Sequence, residues 1–390
     1  MNTLDSRLSG SPAAVELAWN EGEDAHRALW RADLHGAAPK RIQAADDTIK
    51  ADEAYRLISQ GTALLWRGDF HNARQLLKAL ATRVERRQKR KLQETEPTPA
   101  ERFHQHRLQL SQRAQILNRL LIPLQADLSI PLRRAPDVSQ ACGAAFTPLG
   151  ETELIPLRAL QGYIGAWEWQ KKGIEVAGLA ERIHVPHGVY SPIRGEYLPL
   201  LMQAPLPAHT QLAFDIGTGS GVLAALLLQR GVPRVLATDI NPRALQAAKE
   251  NLARLHYTDR VELLACDLFP EGKADLIVCN PPWLPAKPTS QIEQAVYDPG
   301  HRMLQGFLAK VTAHLQPGGE VWLLMSDLAE HLGLREPEWL RQTIRAAGLA
   351  VIEKRDTRPV HGKAQNTDDP LYAARSKETT SLWRLAPLAP

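Results

Sequence analysis

Residues 214–231 read FDIGTGSGVLAALLLQRG, an apolar stretch that meets three glycines at alternate positions and continues as an apolar run. The spacing predicts a strand turning tightly into a helix, because Gly217, Gly219 and Gly221 let the backbone bend and approach a ligand closely. Free N–H groups at the start of such a helix favour a polar or anionic group. Asp215 stands two residues before the first glycine. A nicotinamide fingerprint reads GxGxxG, whereas this loop reads GxGxG, which disfavours a nicotinamide-dependent oxidoreductase as the alternative enzyme.

Around this loop, short apolar runs alternate with amphipathic segments: QLAF at 211, RVLAT at 234, VELLAC at 261, DLIVC at 275, EVWLLM at 320, LAVIEK at 349 and SLWRL at 381. That alternation predicts βαβ units and an α/β, doubly wound, mostly parallel sheet covered on both faces. Asn241 is placed to cap a helix whose first turn holds Pro242. The last two runs are joined by a loop, so they are expected to pair antiparallel and give the sheet an antiparallel edge strand. Pro317-Gly318-Gly319 reads as a turn into the EVWLLM strand.

The strand tips carry the chemistry. Asp239 ends the second strand, where an acid can accept both hydroxyls of an adenosine ribose. Asp267 and Leu268 follow the third, suited to an adenine amino group and ring. The fourth runs into VCNPPW, residues 278–283. Ligands of open α/β sheets bind at the carboxyl ends of strands, so Asp215, Asp239, Asp267 and Asn280 should border one crevice. Pro281 and Pro282 remove two N–H donors, fix φ and leave carbonyls free to accept hydrogen bonds.

DIGTGSG, TDINP, CDLF and VCNPPW, in this order and spacing, resemble the class I S-adenosylmethionine-dependent methyltransferases. Within that class they resemble the small-methyltransferase group with an Asn-Pro-Pro-aromatic motif, which includes protein-(glutamine-N5) and rRNA guanine-N2 methyltransferases. The resemblance spans about residues 185–330 and implies a Rossmann-like domain with S-adenosyl-L-methionine as cofactor. Cofactor contacts then fall to Asp215, Gly217, Gly219, Gly221, Asp239, Ile240, Asp267, Leu268 and Asn280. Catalytic roles fall to Asn280, Pro281, Pro282 and Trp283: the Asn side chain and the first Pro carbonyl hold the acceptor NH2, and the aromatic ring stacks on it. Trp283 departs from the usual Tyr or Phe. In the same group a segment before the first strand closes over the cofactor, where Tyr190 and Glu196 contribute either contacts or packing. The chemistry is consistent with these roles. A planar amide or nucleobase amine is a poor nucleophile, and two acceptors gripping its hydrogens aim the lone pair at the methyl carbon. Asn280 is neutral, so positioning is expected to outweigh proton abstraction.

The remaining chain sets bounds. The 390 residues suggest more than one folding unit, and a net charge of +4 with a pI of 8.9 permits an anionic partner without demanding one. Residues 1–45 are expected to form a partly mobile tail, 46–180 a mainly helical substrate-recognition domain and 181–390 the methyltransferase domain. Within the helical part, Gly68-Asp69 is expected to join two helices, the first carrying Leu64 and Leu65, and prolines from Pro123 to Pro156 to break up an irregular stretch. Helices are expected from Glu101 to about Leu121 and near Leu157 to Lys172. The run from Arg83 to Lys91 carries six basic side chains against one acid. It reads as a solvated helix face or as a contact with RNA. No leader or spanning segment is evident, so the expectation is a cytoplasmic protein with no membrane role. Cys142, Cys266 and Cys279 are widely spaced and read as reduced core thiols. His184 and His187 read as loop residues, and no metal is expected. The leading expectation is an N-methyltransferase acting on a nucleobase amine in RNA or DNA. The alternatives are methylation of protein glutamine and a nucleic-acid-binding protein with a vestigial methyltransferase fold.

Overall fold

The computed structural model describes residues 14–89, 97–192, 195–288, 292–360 and 362–388. They form two units, residues 14–89 with 105–168 and residues 97–104 with 169–388. No helix among the described residues is long and apolar enough to cross a membrane.

The first unit opens with the antiparallel hairpin β1 (Ala14–Glu21) and β2 (Asp24–Arg31), which turns at Gly22 with φ 65°. Leu17, Trp19, Ala28 and Trp30 alternate onto one buried face. There follow α1 (Ala32–His35), β3 (Ile42–Ala45), α2 (Ala51–Ser59), β4 (Ala63–Trp66) and α3 (Phe70–Lys89). Next come α4 (Pro99–Leu117), β5 (Leu120–Leu124), α5 (Ser139–Ala145), β6 (Glu153–Pro156) and α6 (Leu157–Lys172). The six strands form one sheet in the order β1-β2-β6-β5-β4-β3.

Four expectations are corrected here. Residues 14–45 are not a tail but three strands and a short helix, whose apolar faces the sheet requires; residues 1–13 lie outside the described residues. The segment 46–180 does hold long helices, but they pack on a sheet and do not form a helical array. Leu64 and Leu65 lie on β4, so Arg67-Gly68-Asp69 joins a strand to a helix; Asp69 caps α3, its Oδ1 accepting from His71 N at 2.8 Å. Pro123 lies within β5 and Pro156 ends β6. β4 is buried on both faces, Leu64 and Trp66 on one side and Ala63 and Leu65 on the other, so it shows no polar alternation. The expected helix at Leu157–Lys172 is α6.

The second unit contains α7 (Leu198–Gln203), β7 (Leu212–Ile216), α8 (Val222–Gln229), β8 (Arg234–Asp239), α9 (Pro242–Arg254), β9 (Val261–Ala265) and β10 (Ala274–Cys279). It continues with α10 (Arg302–Val311), β11 (Leu315–Ser326), α11 (Leu328–His331), α12 (Trp339–Ala346), β12 (Leu349–Thr357), α13 (Gly362–Gln365), α14 (Tyr372–Arg375) and β13 (Thr380–Pro387). The seven strands expected from the sequence are all present, in the order β12-β13-β11-β10-β7-β8-β9. β13 runs antiparallel to both β11 and β12, so it lies one place inside the edge, between them. Pro317-Gly318-Gly319 is an irregularity inside β11, where Gly318 has φ 77°, rather than a turn ahead of it. The sheet is covered on both faces. Leu276 and Val278 of β10 enter one core with α8 and α9, and Ile277 and Cys279 enter the other with α10 and α12. Burying Ile277 or Leu276 fully contributes about 1.5–3 kcal/mol each, which fixes the register that sets Asn280 at the tip of β10.

Candidate active site

The glycine loop is held from two sides. Gly217 N and Thr218 N both donate to Thr238 O of β8, at 2.9 and 2.8 Å, and Gly219 N donates to Asp239 Oδ2 at 3.0 Å. The three glycines have φ of 73°, 57° and 84°, a region that side chains disfavour. They differ in what surrounds them. A Cβ on Gly221 would lie 3.1 Å from the Ala248 backbone, so this glycine lets α8 start against α9. A Cβ on Gly219 would have no atom within 4 Å, so the loop there borders open space.

Asp215 is fully buried. Its Oδ2 accepts from Thr218 Oγ1 at 2.6 Å and Ala224 N at 3.1 Å, while Oδ1 has no partner. Burial pushes its pKa up to about 6, against the lowering effect of those two donors. Asp239 is also raised by burial, although Asn241 N donates to its Oδ1 at 2.8 Å. Backbone N–H groups thus reach both oxygens of Asp239, and a carboxylate with about four lone-pair sites retains capacity for a ligand hydroxyl. Asn241 caps α9, its Oδ1 accepting from Arg243 N at 3.0 Å, which leaves Asp239 free of that duty. Ile240 beside it is 70% exposed, an apolar side chain with nothing over it.

Asp267 lies two residues beyond Ala265, the β9 partner of Asp239, and is exposed. Leu268 has φ 67°, and its carbonyl accepts from Thr238 Oγ1 at 2.6 Å, so a threonine of β8 holds this turn in place. Cys279 pairs with Ile216, which sets Asn280 beside the start of the glycine loop. Its Oδ1 accepts from Trp283 Nε1 at 3.0 Å, and the same indole N–H reaches Leu324 O of β11 at 3.2 Å. Pro281 and Pro282 lie between them in a stretch without helix or strand. Trp283 is half-buried and packs against both cores, with its ring edge-to-face to Tyr197 at 6.3 Å. The resemblance gives this ring a stacking role; its indole edge holds Asn280.

Asp215, Asp239, Leu268 and Asn280 are thus brought to one end of the sheet with the three glycines. Sequence reasoning missed Thr218, Thr238, Met303 and Tyr197. Met303 Cε lies 3.2 Å from where a Gly217 Cβ would be, and Asp298 caps α10 beside it by accepting from Met303 N and Leu304 N. Nothing in spacing or composition distinguishes these four from packing residues. His184 is tied into the fold, its Nδ1 lying 2.6 Å from Gln170 O. Cys142 and Cys279 are buried free thiols, and Cys266 is a half-buried one.

A sheet of this order, with a glycine loop after its first parallel strand and an acid at the tip of the next, defines a class I S-adenosylmethionine-dependent methyltransferase. The family described as methyltransferase small domain matches residues 182–351. A putative protein N5-glutamine methyltransferase of Methanocaldococcus jannaschii is 30% identical over 163 residues, 40% of this chain and 80% of the relative. A release factor glutamine methyltransferase of Cereibacter sphaeroides is 33% identical over 39% of this chain and 57% of the relative. A tRNA1(Val) (adenine(37)-N6)-methyltransferase of Cytophaga hutchinsonii is 30% identical over 32% and 56%. The chain therefore spans little more than half the length of the latter two. It belongs to the small-domain S-adenosylmethionine-dependent methyltransferases, with S-adenosylmethionine as methyl donor. The residues present fit that donor: open space over Gly219, an orphaned buried carboxylate oxygen on Asp215 for a cationic group, and uncovered Ile240 beside Asp239 for an adenine ring.

Proposed function

We propose that the chain transfers a methyl group to the planar NH2 of a nucleobase in RNA or DNA. The observation that carries the NH2 assignment is Asn280, a neutral carboxamide whose oxygen is fixed by Trp283 at the tip of β10, next to the glycine loop. S-adenosylmethionine supplies an electrophilic methyl group together with its own leaving group. Asp239 would accept the ribose hydroxyls, Asp267 and Leu268 would meet the adenine, and Asp215 would face the positively charged end. Asn280 Oδ1 and the Pro281 carbonyl would each accept one amine N–H, holding the nitrogen lone pair toward the methyl carbon. An amide oxygen is too weak a base to remove the proton beforehand, so the C–N bond forms as the methyl–sulfur bond breaks, the neutral thioether leaves, and the cationic methylated nitrogen then loses its proton to water.

A nucleic-acid acceptor is favoured by the exposed face of α3. Arg74, Lys78, Arg86 and Arg87 are exposed there and make no ion pair among the described residues. Arg83 and Glu85 are engaged with Asp52 and Arg113. Arg90 and Lys91 of the same run lie outside the described residues. Unpaired cations in a row suit a phosphate backbone. Protein glutamine is the second reading, supported by the names of two of the relatives; its side-chain amide presents the same planar NH2.

The deciding experiment supplies methyl-labelled S-adenosylmethionine and enzyme to a lysate of cells lacking this chain, then treats the product with nuclease or protease. Label released by nuclease and retained through protease is the expected result. The reverse identifies a protein acceptor, and no transfer contradicts the enzyme reading in favour of a binding module.

A further inference from the structure

Asn280 is useful as an acceptor clamp only if its carboxamide presents oxygen, and a carboxamide can flip. The surroundings remove that freedom. The Trp283 indole N–H is a donor without acceptor capacity, so the Asn280 atom 3.0 Å from it must be Oδ1. The same N–H is anchored to Leu324 O at 3.2 Å, which ties the indole to β11, the strand adjacent to β10. On the other side, the ring of Tyr197, a residue 4% exposed, stands edge-on to Trp283 with centroids 6.3 Å apart. The indole thus holds the carboxamide through its N–H, and Tyr197 braces the indole. A Tyr or Phe at position 283 would supply a ring face without this N–H.

We propose that Trp283 and Tyr197 are a positioning pair that locks the Asn280 carboxamide with one oxygen lone pair presented to the acceptor, restricting the site to groups that donate an N–H. The inference rests on the reading of Asn280 as the acceptor clamp. One Oδ1 lone pair is occupied by the indole, so a single amine hydrogen is taken there and the other goes to the Pro281 carbonyl. An exocyclic NH2 satisfies both positions. An unprotonated ring nitrogen, which only accepts, would meet two oxygen lone pairs and is rejected, because a buried polar group left unpaired is strongly disfavoured.

The test compares wild type, Trp283→Phe, Tyr197→Ala and Asn280→Ala, full length, for S-adenosylmethionine affinity and for label transfer to increasing amounts of lysate from cells lacking the chain. Trp283→Phe keeps the ring and removes the N–H. The expected result is donor affinity within about twofold and a maximum rate about tenfold lower, the worth of one hydrogen bond. Tyr197→Ala, which removes the bracing ring, should show the same pattern with a smaller loss. In a 15N-labelled sample the indole signal missing from Trp283→Phe identifies Trp283, and that signal should move in Asn280→Ala. An unmoved signal, or an undiminished maximum rate in Trp283→Phe while Asn280→Ala is inactive, overturns the positioning pair alone. An active Asn280→Ala overturns the clamp reading itself.

Discussion

Asp69 and Asp215 lie at the carboxyl ends of parallel strands in the two sheets, Asp69 just beyond β4 and Asp215 one residue before the end of β7, yet their carboxylates meet opposite fates. Arg134 Nε at 2.7 Å and Arg133 Nε at 2.8 Å both donate to Asp69 Oδ2, and His71 N donates to Oδ1. The Arg134 hydrogen bond, followed by those from Arg133 and His71, holds the Asp69 carboxyl well below the usual range despite its burial. Among the described residues no cation stands beside Asp215 and one buried oxygen is unpaired, so burial moves it the other way, up to about 6. A saturated strand-tip acid builds the fold, whereas an unsaturated one has hydrogen-bonding capacity left over.

The opposite shifts give opposite pH behaviour, and the larger effect belongs to Asp215. Its raised pKa means that its contribution to the stability of the free protein is complete below the ordinary carboxylate range and is lost as pH rises through about 6. The ionised form that appears above 6 is the one that attracts a cationic donor. Donor affinity should therefore weaken as pH falls below about 6, approaching tenfold per pH unit. Calorimetric titration with S-adenosylmethionine across pH 5 to 8 measures this, and Asp215→Asn should flatten the profile. A flat wild-type profile would remove the distinction between the two acids.

A smaller effect is expected at Asp69, because Arg133 and Arg134 are largely exposed and water screens them. The depressed pKa makes its contribution present above the ordinary carboxylate range and lost as pH falls through the folded value. Asp69→Asn should lower the thermal midpoint at neutral pH, with the difference from wild type narrowing in acid, and should leave donor affinity unchanged. A change in donor affinity would show that this tip, too, serves the ligand.

Legibility in the sequence divides along the same line. The strands β7 to β13 are bounded by turn residues and separated by amphipathic helices, so runs such as DLIVC announce themselves. In the first unit, ALLW and LLIPL are buried on both faces and continue the leucine spacing of neighbouring helices, so they read as helix. The β1–β2 hairpin was open to sequence reading, since Leu17 and Trp19 alternate before Gly22 as Ala28 and Trp30 do after it. At the site, glycines, acids and Asn-Pro-Pro stand out as residue types. Tyr197, Thr238 and the indole N–H of Trp283 gain their roles only from partners 86, 30 and 3 residues away. The antiparallel β13 was anticipated as a neighbour of β12, but its insertion beside β11 depends on long-range pairing that local pattern does not encode.

The Asn280 side chain is assigned to gripping the acceptor amine, so donor affinity should not depend on that side chain even though the residue borders the cofactor. Donor titration and label transfer on Asn280→Ala test it side by side. S-adenosylmethionine affinity should stay within about twofold of wild type and transfer should fall at least about a hundredfold, the scale seen when a positioned polar group at a reaction centre is removed. Transfer surviving at near wild-type rate, or donor binding lost along with it, would contradict the claim.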